Sequence, residues 1–165
     1  MRGKASIQGH PIHPMLVTLP IGGWVASMLA DIAYLTTRHL FWYDMAWWAM
    51  AFGLAGALLA AIPGLIDYTT LAPRRVSTQA TAFTHLVLNL SVSAAYLVNL
   101  ILRANYACAV GGAMIGVTAL SCVSITVLAI AGWLGGQLVY DEGVGLDANR
   151  LRVTMLDEER ERVER

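Results

Sequence analysis

The sequence predicts an all-α protein: a four-helix transmembrane bundle followed by a short charged C-terminal tail. The chain has 165 residues, of which 57% are hydrophobic and 13% charged, and the charged share is about half of the ~25% typical of soluble domains. Nine charged residues fall in residues 1–140 and thirteen in residues 141–165. This asymmetry excludes an ordinary soluble enzyme, a nucleic-acid-binding protein and a disordered chain.

Four apolar stretches are each long enough for the roughly 20 residues that a bilayer crossing requires. They cover residues 15–37, residues 41–66, residues 81–102 and part of residues 107–139, where we expect the last helix to start near 111–113. An aromatic cluster opens the second stretch, as at a membrane–water interface. We therefore divide the chain into a transmembrane domain over residues 1–145 and a cytoplasmic charged tail over residues 146–165.

Basic residues near the helix ends predict the orientation of the bundle. With four crossings, the N-terminus, the second loop and the tail share one side of the membrane, and the first and third loops share the other. The first side carries Arg2, Lys4, Arg74, Arg75, Arg150 and Arg152, and the second carries Arg38 and Arg103. The positive-inside rule places both termini in the cytoplasm, so we expect a multi-pass membrane protein with both termini on that side.

Small residues on two of the helices predict close helix contacts. They are Gly53, Gly56, Ala60 and Gly64 on the second stretch, and the pairs Gly112/Gly116 and Gly132/Gly136 on the fourth. In lipid, such faces allow two backbones to approach closely. The contact is within one bundle or, in a homo-oligomer, with a second copy.

Ionisable residues near the cytoplasmic end of the bundle form the candidate site, because such groups are expensive in a membrane. His10 and His13 precede the first helix, Asp67 ends the second, and His85 lies about one turn inside the third, with Asn89 one turn further. We expect His10 or His13 to converge with His85.

This convergence has two chemical readings. The metal reading takes His10, His13, Asp67 and His85 as ligands of a transition metal ion. The haem reading takes His85 with His10 or His13 as axial ligands of haem b, and Asn89 as the residue that orients a ligand. Histidines that only shape the membrane interface are a third, purely structural interpretation, and a proton relay is a fourth.

Polar side chains also follow one face of the third helix. His85, Asn89, Tyr96, Asn99 and Arg103 repeat at helical spacing, so this face should point into the bundle. Near the opposite membrane surface, we expect Asp31 and Arg38 to join Asn99 and Arg103 in ion pairing that locks the bundle.

Two segments resemble a bacterial membrane family, the domain of unknown function 2231. They are GHPIHPMLVTLPIG at residues 9–22 and GWLGGQLVYDEGVG at residues 132–145. With the residues around Asp67 and His85, the similarity covers about residues 9–146. It implies a four-helix inner-membrane protein. Some relatives are fused to Rieske-type iron–sulfur domains, which implies electron-transfer surroundings. Here no Cys-x-His pair occurs, and Glu142 stands where many relatives have a histidine.

Three function classes follow from these residues. The first is a redox-associated subunit with haem b or a transition metal and a redox partner. The second is a structural or assembly subunit of a membrane complex. The third is a small transport or channel subunit whose path follows the polar face of the third helix. An enzyme is the weakest class, because no nucleophile–base pair, phosphate-binding loop or dinucleotide fingerprint occurs.

Overall fold

The computed structural model describes residues 5–8, 10–69, 76–104, 111–144 and residue 162, so most of the predicted tail lies outside the described residues. A short antiparallel hairpin, β1 (Ser6–Ile7) and β2 (His10–Pro11), leads into α1 (Ile12–Leu16). The other helices are α2 (Thr18–Thr37), α3 (Leu40–Thr69), α4 (Val76–Arg103) and α5 (Gly111–Tyr140). The predicted all-α fold is confirmed, with four helices long and apolar enough to cross a membrane.

The first crossing combines α1 and α2, which meet at Val17. Pro20 explains the break, because it has no N–H for the carbonyl of Leu16 and its ring crowds that carbonyl. The hydrogen bond from Ile21 N to Val17 O, 3.3 Å long, restores the helix directly afterwards. The chain before Val17 can therefore take its own direction across the end of the bundle, and this segment carries His13.

Each connected pair of helices forms a tightly packed hairpin: α2 packs most extensively against α3, and α4 against α5. Gly23 and Gly53 form the crossing of α2 and α3, since a Cβ at Gly23 would lie 2.9 Å from the Cα of Gly53. The predicted role of the small residues on α3 is thus confirmed. On α5 a contact within the bundle is wrong for Gly112, Gly116 and Gly132, where a Cβ would meet no atom within 4 Å, because these positions lie on the outer surface of the bundle.

The two hairpins are related by an internal repeat. The helices α3 and α5 both have 30 residues, and their starts and ends are each 71 residues apart. Between α2 and α4 the offset is 72 residues, and it pairs Trp24 with Tyr96 and Asp31 with Arg103, which meet in the bundle. The bundle therefore consists of two hairpins whose equivalent residues meet in pairs.

Candidate functional site

Two histidine side chains meet at the end of the bundle where the N-terminal hairpin lies. The ring centres of His13 and His85 are 6.3 Å apart and the ring planes are inclined by 85°. Both residues are half-buried. His13 and His85 are equivalent in the internal repeat, with the same offset of 72 residues. The predicted convergence is thus found for His13, whereas His10 lies in β2 and is exposed.

The ring of His13 is held against α3. Its Nδ1 atom lies 2.8 Å from the backbone oxygen of Ala60. Gly64 lies one turn further along α3, and a Cβ there would be 2.8 Å from the same Nδ1 atom. The ring therefore occupies the space that the missing side chain of Gly64 leaves.

His85 is held against α5 in the same way. Its Nδ1 atom lies 2.8 Å from the backbone oxygen of Ala131, and a Cβ on Gly135 would be 2.9 Å from its Cε1 atom. In both hairpins a histidine thus bonds to a helix carbonyl and packs on the glycine four residues later. This arrangement of histidine, carbonyl and glycine occurs once in each half of the chain.

The two carbonyl contacts determine which ring nitrogen carries the proton. A carbonyl oxygen only accepts hydrogen bonds, so Nδ1 is the donor in both histidines. In the neutral imidazole the lone pair then lies on Nε2, the atom that can bind a metal. Such a bond from the other ring nitrogen to a carbonyl is the usual support of a ligating histidine.

Asn89 contacts His85 at two points on α4. Its Nδ2 atom donates to the backbone oxygen of His85 over 2.8 Å and lies 3.3 Å from the ring Nε2 atom. The predicted proximity of Asn89 to His85 is thus found. The longer of these two contacts reaches the nitrogen that would bind a metal.

Asp67 secures the N-terminal hairpin. Its Oδ1 atom accepts a hydrogen bond of 3.1 Å from the backbone nitrogen of Ala5, and the oxygen of Ala5 accepts one of 3.0 Å from Ile12, directly before His13. The carboxylate thus helps to hold the segment that presents His13. Among the residues that the structure describes, no three His, Cys, Asp or Glu side chains gather as a metal site.

A second polar cluster occupies the opposite half of the bundle. Arg103 forms two hydrogen bonds with the carboxylate of Asp31, of 2.5 and 2.7 Å, and both side chains are fully buried. Asn99 accepts a bond of 2.7 Å from Arg103 Nε. The predicted ion pairing is confirmed for Asp31, Asn99 and Arg103. It is wrong for Arg38, an exposed residue in left-handed conformation that ends α2.

An aromatic pair lies between the two polar clusters. Trp24 and Tyr96 stack with ring centres 4.6 Å apart and planes inclined by 2°, and both are buried. Our sequence interpretation placed Tyr96 in the interior but missed Trp24 as its partner. The signal was the repeat: in the first crossing (α1 and α2) and in α4 the histidine, the aromatic residue and the charged residue follow at the same spacings.

A family model matches residues 9–148, and its description reads predicted membrane protein, DUF2231. Because this match covers most of the chain, the protein belongs to that family. No curated protein and no solved structure is significantly similar to it.

Proposed function

We propose that this DUF2231 protein is a redox-associated membrane subunit that binds haem b between its two hairpins, with His13 and His85 as axial ligands. The observation that carries this proposal is the repeated arrangement of histidine, carbonyl and glycine, with ring centres 6.3 Å apart. Two equivalent histidines that meet as a pair would suit a cofactor that needs two protein ligands.

The distance between the rings fits this coordination. Metal–nitrogen bonds to histidine are about 2.0–2.1 Å long, taking zinc as a guide. A ring nitrogen lies about 1.1 Å from its ring centre, given C–N bonds of about 1.33 Å. Two imidazoles on opposite sides of one ion would then have centres about 6.2–6.4 Å apart. The observed 6.3 Å lies within this interval.

The ligand set favours haem over a metal ion bound by the protein alone. Zinc sites generally use three or four protein ligands, whereas a haem iron needs two axial ligands because the porphyrin supplies the others. His13 and His85 meet as a pair, while Asp67 is engaged with the backbone of Ala5. We therefore give Asp67 a positioning role and leave His10 outside the ligand pair.

The residues around the rings have separate tasks in this proposal. The carbonyls of Ala60 and Ala131 hold Nδ1–H, which fixes the ring orientation and raises the basicity of Nε2. Gly64 and Gly135 leave room for the rings. When bound, haem supplies a one-electron redox centre, and a redox partner in the membrane or in solution exchanges electrons with it.

The polar face of α4 supports this function better than a transport path. Its members Tyr96, Asn99 and Arg103 are buried, and their side chains contact other residues of the bundle. These contacts hold helices together, so this half of the face serves packing. The half that carries His85 and Asn89 is the part assigned to the cofactor.

We further propose that both termini and the tail lie in the cytoplasm of a bacterial cell, with the bundle in the inner membrane. Arg103 is buried in an ion pair, so it does not count as a loop charge, and Arg38 is then the main basic residue of the opposite side. This strengthens the positive-inside argument. A reporter active only outside the cytoplasm, fused to the C-terminus, should give no signal, and a strong signal would reverse the orientation.

The absorption spectrum of the purified protein tests the haem proposal. Protein from cells supplied with iron and a haem precursor should carry about one haem per chain and show the bands of a low-spin, bis-histidine haem. His13→Ala and His85→Ala should each lose these bands. His10→Ala and His39→Ala are matched controls and should keep them, because both residues are exposed.

The same samples separate the alternatives. Metal analysis that finds one transition metal per chain without haem bands would favour the metal reading. A colourless and metal-free wild-type protein would leave a structural or assembly subunit as the better function.

A further inference from the structure

Asp31 and Arg103 occupy equivalent positions in the two hairpins but carry opposite charges. They are 72 residues apart, the same offset that relates Trp24 to Tyr96. Each lies on the helix that faces the other hairpin, and both side chains have no exposed surface. At this pair of equivalent positions the repeat thus carries an ion pair, whereas at the positions of His13 and His85 it carries two identical residues.

The charged groups of Asp31 and Arg103 form hydrogen bonds with each other and with a neighbouring side chain. Both carboxylate oxygens of Asp31 accept from the guanidinium, and Arg103 Nε donates to Asn99. Asn99 in turn donates from Nδ2 to the Val117 oxygen and to Ser121 Oγ, both at 2.9 Å. The arrangement therefore links α2, α4 and α5 at one level.

We infer that this ion pair determines which hairpin partners which, and in which register. Suppose that a hairpin associated with the same hairpin of a second chain, in the arrangement that the two halves adopt here. Asp31 would then meet Asp31, or Arg103 would meet Arg103. Two unpaired like charges in the interior of a membrane protein are strongly unfavourable. Each hairpin therefore presents a surface that fits the other half of the chain and rejects its own copy.

The register follows from equal spacing along the two helices. In the first crossing (α1 and α2) and in α4 the charged residue lies 18 residues after the histidine, which corresponds to about 27 Å along a continuous helix such as α4. A slip of one turn would shift the helices by about 5.4 Å and separate the rings of His13 and His85. The ion pair at one end of the bundle thus fixes the relative positions of His13 and His85 along the bundle at the other end. This inference concerns assembly and holds whether or not haem is bound.

The test uses the full chain with Cys108→Ser and Cys122→Ser, and with cysteines introduced by His13→Cys and His85→Cys. A bifunctional maleimide then reports whether the two positions remain at one level, and size-exclusion chromatography with light scattering reports association. The decisive variant adds Asp31→Leu and Arg103→Met, since buried ion pairs are often replaced by apolar residues without loss of stability.

We expect the apolar variant to fold, with a crosslinking yield at least threefold lower and self-associated species at least threefold more abundant than in the parent. Ser91→Leu, a polar-to-apolar change at an exposed position, is the matched control and should change neither. Wild-type crosslinking and association in the apolar variant would overturn the inference.

The charge exchange Asp31→Arg with Arg103→Asp gives a second decision if the apolar variant does not fold. It restores opposite charges at the two equivalent positions, so crosslinking within twofold of the parent supports the inference. Loss of crosslinking in the exchange variant contradicts it. The single change Asp31→Arg places two cations together and should abolish the monomeric bundle.

Discussion

Gly135→Ala tests whether the packing of His85 on α5 serves the proposed cofactor site. A methyl group at this position would lie 2.9 Å from Cε1 and 3.3 Å from Nδ1 of the ring. Carbon atoms in contact are normally about 3.5–4.0 Å apart. The ring must therefore move away from α5 by about 0.6 Å or more, and this displaces Nδ1 from the oxygen of Ala131.

Two effects of this substitution lower the free energy of unfolding, and one raises it. Overpacking costs about 1–3 kcal/mol, and weakening the hydrogen bond to Ala131 costs about 0.5–1.5 kcal/mol. Alanine in place of glycine gives back up to about 1 kcal/mol of helix propensity. Together they predict that the free energy of unfolding falls by about 0.5–4.5 kcal/mol. Haem affinity should fall about 10–100-fold, as when the support of a ligating histidine is lost.

Gly132→Ala is the matched control, because Gly132 lies on the same helix and a Cβ there meets no atom within 4 Å. It should leave haem affinity unchanged and stabilise the helix by up to about 1 kcal/mol. The assay is a haem titration of purified cofactor-free protein, followed by visible absorption, with thermal unfolding measured in parallel. Equal haem affinity of the two variants would refute the role of the glycine.

Three further changes have defined outcomes. Asp31→Ala leaves the Arg103 guanidinium buried without its carboxylate and should lower the free energy of unfolding by about 3–5 kcal/mol; a loss below 1 kcal/mol in thermal or denaturant unfolding would contradict this. Asp67→Ala removes the acceptor of Ala5 N and should speed proteolysis of the N-terminal segment, while leaving the melting temperature within a few degrees. Tyr96→Phe keeps the stack and loses the hydroxyl contacts to the Trp24 oxygen, of 3.5 Å, and to the Ser27 side chain, so the free energy of unfolding should fall by about 0.5–1.5 kcal/mol.

The helices were predictable because their apolar lengths are set by the bilayer. All four crossings were placed correctly, and the expected start of the last one near residue 111 matches Gly111. The ends were less predictable. The first crossing begins at Ile12 and the second continues to Thr69, because polar residues at the ends of a crossing can still take part in helical hydrogen bonds.

The candidate site was predictable in its side chains and not in its backbone contacts. The topology and the polar face of α4 were enough to bring one N-terminal histidine to His85. The carbonyls of Ala60 and Ala131 were missed because every residue has a carbonyl oxygen, so the residue types do not indicate which carbonyls contact the histidines. Arg38 was misplaced because a residue that ends a helix follows the direction of the loop rather than the helical face.

The two polar clusters at opposite ends of the bundle differ in a way that bears on function. At one end, Asp31 and Arg103 satisfy each other with a donor and an acceptor, so nothing further is needed there. At the other end, His13 and His85 are identical, and both use Nδ1–H on a helix carbonyl. Each ring is left with a lone pair on Nε2, and Asn89 meets only that of His85, over 3.3 Å. Two acceptors cannot hydrogen-bond to each other, and in the proposed function the electron-pair acceptor that joins them is the haem iron.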